Sequence, residues 1–405
     1  MIRNATQHNM ERRSHAHDYR RPGIYHITLE AASGQPFGTL TGNPDVPDGH
    51  PDAPRIVLSP VGAAVERELL YAISSHYPMV HIDTYTIMPD HLHFLAVVTA
   101  PLVNGSGKSM HLGMVIKGFK YGCNRSYWQL LGLQTGHREE TGRAEACRAE
   151  AGRATESPGT VCQPTRSAGG YPPLFKEGYC DVMPVDAEQL ERQRVYIRDN
   201  ARSRLLRMAH RDWLTTRRGG VATALTVRAL MGYLRRECTS SQATPEAFAA
   251  IAGQLLTRGR ATESPGTVVV CDSYGDRGLL ERRLLPVVCH RRDKGRFAEQ
   301  KCRCLEEAAK GAVLVSGRIA KGEQEIIDTA IGQGRAVVLV EENGFPERYH
   351  PSAERLRLCA EGRLLLVSPW RYEYRGRDGA VTEQLCKTMN AVAQALCRLG
   401  DGWWR

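Results

Sequence analysis

The chain has 405 residues, and its 54 Lys and Arg against 44 Asp and Glu give a formal net charge of +10. This length predicts about two or three domains, and the basic excess indicates an acidic partner, for which nucleic acid is the simplest candidate. No apolar run reaches the ~18 residues of a membrane span, the first twenty residues lack the apolar segment of a signal peptide, and the 12 Cys form no Cys-x-x-Cys pair, so we expect a cytoplasmic protein with reduced thiols and no membrane partner.

We predict that residues 1–22 form a disordered tail and that residues 23–218 form a first domain. Strands are expected at residues 23–29, 55–58, 80–86 and 91–99, and helices at residues 59–77, 112–130 and 186–208. This order favours an antiparallel sheet covered by helices, an α+β fold. A Gly-Ser-Gly-Lys-Ser segment at residues 105–109 resembles the end of a phosphate-binding loop, but Leu102 stands where the first Gly of that motif belongs, so we interpret it as a linker.

His91 and His93 lie two residues apart in the predicted strand at residues 91–99. Because side chains alternate along a strand, both imidazoles project from one face and Leu92 points to the opposite face. Two imidazoles side by side form half of a divalent metal site. The alternative for His-x-His alone is a pair of surface or hydrogen-bonded histidines, and the dipeptide spacing does not decide between the two.

Tyr196 and Asn200 lie four residues apart in the predicted helix at residues 186–208, which places them on one helical face. A tyrosine can act as a covalent nucleophile, and an amide oxygen can ligate a hard metal. The alternative is that Tyr196 is an ordinary residue of an amphipathic helix with no catalytic role.

Basic residues suited to a phosphate backbone occur on this helix and on the one at residues 112–130, where aromatic residues accompany them. Of these aromatics, Phe119 and Trp128 are favoured as core residues, and a solvated charged face is the alternative for the basic residues. The candidate DNA contacts are Lys117, Lys120, Arg125, Arg198, Arg202 and Arg204.

Residues 135–170 nearly lack large apolar side chains, which predicts a disordered insertion in the first domain. A decapeptide within it, residues 152–161, recurs without change at residues 259–268. Two explanations stay open: a repeated DNA element that entered the gene twice in one frame, and a simple segmental duplication.

Residues 219–268 predict a helical segment and a linker, and residues 269–405 predict a last domain with a different pattern. A strand at residues 312–315, a Gly-containing turn, a helix at residues 323–333 and a strand at residues 336–340 form a β-turn-α-β unit, which favours a parallel sheet. Free amides at the start of that helix could hold phosphate, although the Gly spacing is not the dinucleotide fingerprint and a purely structural turn is the alternative.

Four short sequence motifs give the first domain a family resemblance. They are Gly-Ile-Tyr-His-Ile-Thr-Leu at residues 23–29, Met-Pro-Asp-His-Leu-His at 88–93, Phe-Lys-Glu-Gly-Tyr at 175–179 and Tyr-Ile-Arg-Asp-Asn at 196–200. With these motifs, residues 23–208 resemble the single-tyrosine HUH transposases, especially the branch associated with repetitive extragenic palindromes.

The resemblance implies a ferredoxin-like sheet in which His91, His93 and Asn200 bind Mg²⁺ or Mn²⁺ and Tyr196 attacks single-stranded DNA. Hairpin or palindromic-repeat DNA would be the partner, and a 5′-phosphotyrosine would link it to the protein. The family commonly has Pro after the Asn, whereas Ala201 follows Asn200 here. A general base cannot be identified from the sequence, and a homodimer with shared sites is an open alternative to a monomer.

The last domain resembles the Rossmann-like domain of DNA-processing protein A. The resemblance rests on Ser316-Gly317 with Gly322, on Gly344-Phe345, and on residues 362–366 before Ser-Pro-Trp at 368–370. It implies an α/β parallel-sheet domain that binds single-stranded DNA or a nucleotide without cutting it. The candidate phosphate contacts are Ser316, Gly317, Arg318 and Lys321.

Two functions therefore remain open: a DNA-nicking and joining transposase, and a non-catalytic DNA- or nucleotide-binding protein derived from one. Retention of both histidines, the tyrosine and the asparagine favours the first. A zinc hydrolase fits less well, because no acidic general base or third His lies at a recognisable spacing.

Overall fold

The computed structural model describes residues 17–133, 170–184, 186–239, 243–259, 266–373 and 382–405. Most of the predicted tail, the predicted insertion and most of both decapeptides lie outside the described residues. The chain divides into two compact units, Met1–Leu205 and Leu206–Arg405. None of the described helices combines the length and the hydropathy that a membrane crossing requires.

The strands of the first unit build an antiparallel sheet and a separate hairpin. They are β1 (Gly23–Glu30), β2 (Gly38–Thr41), β3 (Arg55–Leu58), β4 (Val80–Ile87), β5 (His91–Val98) and β6 (Cys180–Val182). Among the described residues the sheet has the order β4-β5-β1-β6, and β2 pairs with β3 in the hairpin. In the central pair, Thr28 lies opposite His93 and Glu30 lies opposite His91, so these side chains share one face of the sheet.

Helices cover both faces of this sheet. They are α1 (Pro60–Arg67), which continues through a π turn (Glu68–Ala72) into α2 (Ile73–His76), α3 (Leu112–Leu130), α4 (Ala187–Arg198) and α5 (Asn200–Ala209). The first three pack on the core face, where Leu69 and Phe119 join Ile27 and Phe94 in one cluster. Helix α4 packs on β4 and β5, and we place it on the opposite face, which carries the histidines.

The helix predicted at residues 186–208 is interrupted. Asp199, with φ −88° and ψ 5°, ends α4, and α5 begins at Asn200. The Asp199 carboxylate accepts a hydrogen bond from Ser203 Oγ at 3.1 Å, the kind of local contact that makes Asp favourable at helix ends. Tyr196 and Asn200 therefore belong to successive helices.

The predicted tail also needs correction at its C-terminal side. Tyr19 is buried in the core of the first unit, and its ring stacks on that of Tyr25 with the centroids 5.8 Å apart. Tyr19 thus anchors residues 17–22 to the first unit, because its aromatic side chain supplies the apolar area that the polar tail otherwise lacks.

The second unit contains a mixed sheet. Its strands are β7 (Arg217–Thr226), β8 (Thr257–Arg258), β9 (Val268–Gly275), β10 (Leu284–Pro286), β11 (Val313–Ser316), β12 (Val337–Val340) and β13 (Leu364–Ser368). The order is β10-β11-β12-β13-β9-β7, with β8 beside β9. Strands β10 to β13 are parallel, whereas β9 is antiparallel to β13 and to β7.

Helices form a layer on each face of the mixed sheet. They are α6 (Val227–Glu237), α7 (Pro245–Gln254), α8 (Phe297–Ala309), α9 (Lys321–Gly332), α10 (Ala353–Ala360) and α11 (Glu383–Cys397). Leu234, Phe248 and Met389 of α6, α7 and α11 share one core, and α8, α9 and α10 contribute to the other. The chain is therefore a mixed α/β protein with an antiparallel sheet and a separate mixed sheet, and the predicted β-turn-α-β unit is confirmed as β11-α9-β12.

The helical segment predicted from residue 219 is wrong at its start, because β7 occupies Arg217–Thr226. Val221 and Thr223 alternate into the interior, and Thr223 Oγ1 donates to the Val269 carbonyl at 2.6 Å. A short run of small and β-branched residues fits a strand or a helix locally, and pairing with β9 decides for the strand. The described residues between 217 and 258 thus contribute two strands, β7 and β8, and two helices, α6 and α7, to the second unit.

Candidate active site

The structure brings His91, His93 and Tyr196 together within the first unit. The ring centroids of His91 and His93 are 4.9 Å apart, and those of His93 and Tyr196 are 5.3 Å apart. His93 is buried, whereas Tyr196 is 42% exposed. A phenol reachable from solvent therefore lies beside two imidazoles on a rigid strand.

Two features position Tyr196. Ile197 is fully buried beneath α4, and the Arg194 guanidinium binds both carboxylate oxygens of Asp83 on β4, with N–O distances of 2.9 and 2.8 Å. A planar guanidinium that forms two parallel hydrogen bonds fixes orientation as well as distance. This contact sets α4 against the sheet two residues before the tyrosine.

Asp90, immediately before β5, contacts His91. Its Oδ1 lies 2.7 Å from His91 Nδ1, and both of its oxygens accept hydrogen bonds from Arg204 of α5, at 2.6 and 3.0 Å. Burial opposes ionisation of Asp90, but the hydrogen bonds from Arg204 and His91 outweigh it, so the pKa of this carboxyl is lowered. An ionised Asp90 accepts a hydrogen bond from His91 Nδ1, which leaves Nε2 of His91 as the nitrogen that could ligate a metal.

His93 is oriented from the neighbouring strand. Its Nδ1 lies 2.9 Å from Thr28 Oγ1 and 3.2 Å from His26 Nε2. Burial lowers the pKa of His26 to about 4, and burial together with the charges of His91 and His26 lowers the pKa of His93 well below its ordinary value. Both rings are therefore neutral near pH 7, the state in which an imidazole ligates a metal.

His26 is a site residue that the sequence reasoning missed. It lies on β1, and its ring centroid is 5.9 Å from that of Tyr196 and 5.2 Å from that of His93. The signal was present, because His26 and Thr28 alternate on β1 as His91 and His93 do on β5. Only the antiparallel register of the two strands brings the pairs together.

Asn200 is buried at 8% exposure. Within the described part of the chain its side-chain amide forms no hydrogen bond. It lies four residues after Tyr196 and four before Arg204, and these two contact His93 and Asp90 respectively. Asn200 is thus the first residue of α5 and lies between these two residues in the sequence.

The donor set suits a cation only in part. No group of three or more His, Cys, Asp or Glu side chains among the described residues is arranged to hold a metal. The predicted donors are two imidazole Nε2 atoms and the Asn200 amide oxygen, which carry no carboxylate and leave coordination positions open. Such a set fits a cation whose other ligands and balancing charge come from a bound phosphate.

The predicted DNA contacts differ in availability. Lys117 and Arg125 are exposed on α3, which packs on the core face of the sheet, away from the histidines. Lys120 Nζ donates to the carbonyls of Lys176 and Gly178 at 2.6 Å each, and burial lowers its pKa to about 8. Lys120 therefore ties a loop to α3.

The three arginines of α4 and α5 that are predicted to contact DNA are already paired within the first unit. Arg198 forms an ion pair with Glu191 at 2.7 Å, and Arg202 donates to the carbonyls of Pro44 and Val46 and to Asp48. Arg204 binds Asp90, as described above. Before any ligand binds, the guanidinium groups of Arg202 and Arg204 thus hold parts of the chain together.

In the second unit, the turn predicted to hold phosphate is already satisfied by a carboxylate. Glu323 accepts hydrogen bonds from the backbone amides of Cys289 and Ile319, at 3.0 and 2.7 Å, while Ser316 Oγ donates to the Val287 carbonyl. Arg318 pairs with Asp328 at 2.7 Å. The backbone amides of this turn thus already bind an internal carboxylate and Arg318 is already paired, whereas Lys321 is exposed on the first turn of α9.

A cavity of about 490 Å³ opens elsewhere in the second unit, beside the end of β13. Arg218, Asp272, Arg371 and Tyr372 contribute to its lining. Arg218 is held by Asp272 at 2.6 Å, whereas the Arg371 guanidinium has no hydrogen-bond partner among the described residues. Tyr372 is 49% exposed.

No family model and no curated protein matches this sequence. A comparison with solved structures finds a REP-associated tyrosine transposase bound to a REP hairpin, at 9% identity over 46% of this chain and 72% of that chain, with a TM-score of 0.23. It also finds DNA processing protein A from Helicobacter pylori, known for its single-stranded DNA binding mode, at 16% identity over 35% of this chain and 66% of that chain, with the same TM-score of 0.23. At such TM-scores neither similarity establishes a fold or a function for this chain.

Proposed function

We propose that the first unit is a metal-dependent endonuclease and strand transferase for single-stranded hairpin or repeat DNA, with Tyr196 as its nucleophile. One observation carries the proposal: an exposed phenol lies 5.3 Å, centroid to centroid, from a neutral buried imidazole that belongs to a His-x-His pair. The finer fold assignments, a ferredoxin-like sheet for the first unit and a Rossmann-like sheet for the second, belong to the same proposal.

In this proposal His91 and His93 through Nε2, with the Asn200 amide oxygen, would hold Mg²⁺ or Mn²⁺. When bound, the cation supplies Lewis-acid stabilisation of the charge that develops on a scissile phosphate. The contacts that His91 and His93 make through Nδ1 leave both Nε2 atoms for that role. Because one chain supplies both the histidines and the tyrosine, a second copy is not required to complete the site.

Tyr196 would perform the covalent step. Its phenol loses a proton, the oxygen attacks phosphorus, and the bond between phosphorus and the 3′-oxygen breaks. The 3′-oxygen takes up a proton and leaves as a hydroxyl, while the 5′-phosphate stays on the tyrosine. Attack by the 3′-hydroxyl of another strand reverses these bond changes and joins the DNA.

Formation of a covalent adduct tests this function. The full chain is incubated with a pool of end-labelled single-stranded hairpins and Mn²⁺, and products are separated under denaturing conditions. We expect an adduct from the wild type and none from Tyr196→Phe. Tyr121→Phe is the matched control, because Tyr121 is an exposed tyrosine on α3 and should leave the adduct unchanged. An adduct that survives Tyr196→Phe would refute the assignment of the nucleophile.

A second candidate function, binding of single-stranded DNA or a nucleotide without cleavage, is favoured by the cavity beside β13. The backbone there is held firmly: Glu373 N donates to Asn343 Oδ1 at 3.2 Å and Arg371 N donates to the Gln254 carbonyl at 2.8 Å. Tyr372 thus presents an exposed ring on a fixed backbone next to a guanidinium, which suits base stacking and phosphate contact. Hairpin binding with no adduct under any metal condition would favour this function over the first.

A further inference from the structure

We propose that Arg204 and Asp90 form a positioning pair, which couples the seating of α5 to the orientation of His91. The inference rests on the proposed function and deepens it. It also gives Arg204 a role different from that of a DNA contact, which the basic character of its helix predicts.

The geometry of three groups supports the pair. Arg204 donates to both oxygens of Asp90, at 2.6 and 3.0 Å, and Asp90 Oδ1 also lies 2.7 Å from His91 Nδ1. The side chains of Arg204 and His91 are 26% and 24% exposed. A half-exposed ion pair adds little to stability, but a two-point contact fixes direction, and here the same oxygen serves the helix and the imidazole.

Helical spacing connects this contact to the candidate ligand Asn200. Asn200 and Arg204 lie four residues apart in α5, so they share one side of that helix. Four residues correspond to a rise of about 6 Å along a helix. Seating Arg204 on Asp90 therefore sets the height of Asn200 above the sheet at the same time as it sets the ring of His91.

A second ion pair, between Arg194 of α4 and Asp83 of β4, provides a matched control. Arg194 binds both oxygens of Asp83, at 2.9 and 2.8 Å, and within the described residues neither side chain of this pair hydrogen-bonds to a histidine. Breaking the Arg194 ion pair should loosen α4 without changing His91. Breaking the Arg204 ion pair should loosen α5 and change His91 together.

The experiment uses the full chain with Arg204→Gln, Arg204→Lys, Asp90→Asn and Arg194→Gln. Four quantities are measured: Mn²⁺ affinity without DNA by calorimetry, the His91 tautomer by ¹⁵N NMR, hairpin affinity as a function of salt, and the single-turnover rate of adduct formation. Thermal unfolding identifies any variant that fails to fold, and Arg204→Lys keeps the charge if Arg204→Gln is unstable.

We expect Asp90→Asn to weaken Mn²⁺ binding by ~10-fold or more, the usual effect of losing a carboxylate behind a ligating histidine. Arg204→Gln should weaken it in the same direction by less, mix the His91 tautomers and slow adduct formation by ~10-fold or more, with hairpin affinity retained. Arg204→Lys should recover part of the rate, and Arg194→Gln should slow the rate without affecting Mn²⁺ or the tautomer.

The opposite pattern would overturn the inference. If Arg204→Gln weakens hairpin binding, lowers its salt dependence by ~1 phosphate contact and leaves the tautomer and Mn²⁺ affinity unchanged, Arg204 is a DNA contact. The proposed function can fail separately. If the wild type forms no adduct but Asp90→Asn and Arg204→Gln still change the His91 tautomer, the positioning pair is supported and the proposed reaction is rejected. If the wild type does not bind Mn²⁺, the tautomer alone decides.

Discussion

His93 Nδ1 lies 2.9 Å from Thr28 Oγ1 of the neighbouring strand, and this contact turns the buried ring so that its other nitrogen is available beside Tyr196. A buried polar side chain that is held in one tautomer is expensive to disturb. The histidines of the candidate site are therefore built into the sheet, while the proposed nucleophile, Tyr196, belongs to a helix that lies on the sheet.

Replacement of His93 should impair both metal binding and stability. In His93→Ala the Thr28 hydroxyl and the His26 ring lose their partner in a buried environment, so we expect a loss of about 1–3 kcal/mol in the free energy of unfolding. His91→Ala should abolish adduct formation equally with a smaller loss of stability, because His91 is more exposed. Urea unfolding and the adduct assay measure both effects. Equal stability losses in the two variants would contradict the buried, partnered role of His93.

Stability should fall between about pH 6.5 and pH 4 because of His26. Burial lowers the pKa of folded His26 to about 4, while the unfolded chain has a value near ~6.5. The unfolded state then binds the proton more tightly, so the contribution of His26 is complete above pH 6.5 and is lost as the pH falls toward 4. The difference corresponds to up to about 3 kcal/mol.

Urea unfolding at several pH values checks this dependence. His26→Gln should flatten the slope between pH 4 and 6.5, whereas His81→Gln, which changes an exposed histidine on β4, should leave it unchanged. The same slope in wild type and His26→Gln would show that His26 is not the titrating group.

Glu323→Ala should convert the turn before α9 into an anion site. The Glu323 carboxylate accepts the amides of Cys289 and Ile319, so its removal leaves buried donors unsatisfied, and we expect a loss of about 1–3 kcal/mol. Inorganic phosphate should then raise the melting temperature of this variant but not that of the wild type. Glu325→Ala, an exposed neighbour on α9, is the control. A phosphate effect in the wild type would mean that Glu323 does not block the turn.

Tyr372→Ala should weaken binding of single-stranded DNA by the second unit. Loss of one stacking platform costs about 1–3 kcal/mol per base, and Arg371→Gln should mainly reduce the salt dependence of binding. Fluorescence anisotropy with oligo-dT measures this in a Tyr196→Phe background, which prevents covalent capture. Tyr71→Ala, at an exposed tyrosine in the first unit, is the control. If both alanine variants bind like their parent, the cavity beside β13 does not hold a base.

Local patterns predicted the elements that carry the candidate site. The apolar run after Asp90, which ends in β-branched residues, predicted β5, which spans His91–Val98. Residues 186–208 were predicted as one helix, which the structure divides at Asp199. Each of these signals lies within a few residues of sequence, where the period of apolar side chains suffices. The period of apolar side chains does not predict the π turn in the first long helix or the break at Asp199.

Contacts between distant segments were beyond sequence reasoning. The place of His26 depends on the register between β1 and β5, and the pairing of Arg204 with Asp90 depends on how α5 packs; neither has a local pattern. The Glu323 contact did have one. Glu323 is the third residue of α9, and a Glu at that position commonly turns back to the helix start, a signal that competes with the prediction of a phosphate site.

Adduct formation should require a divalent metal and should proceed at lower concentrations of Mn²⁺ than of Mg²⁺. Two of the three candidate donors, on His91 and His93, are imidazole nitrogens, whereas Mg²⁺ strongly prefers oxygen ligands and gives up its water reluctantly. We expect chelation by EDTA to abolish the adduct and half-saturation by Mn²⁺ to occur at a concentration ~10-fold below that of Mg²⁺. His91→Asp replaces one nitrogen by oxygen and should narrow this gap, while His81→Asp on the exposed part of β4 should not. Full adduct formation in EDTA, or equal half-saturation by both metals in the wild type, would rule out a cation held by the histidine pair.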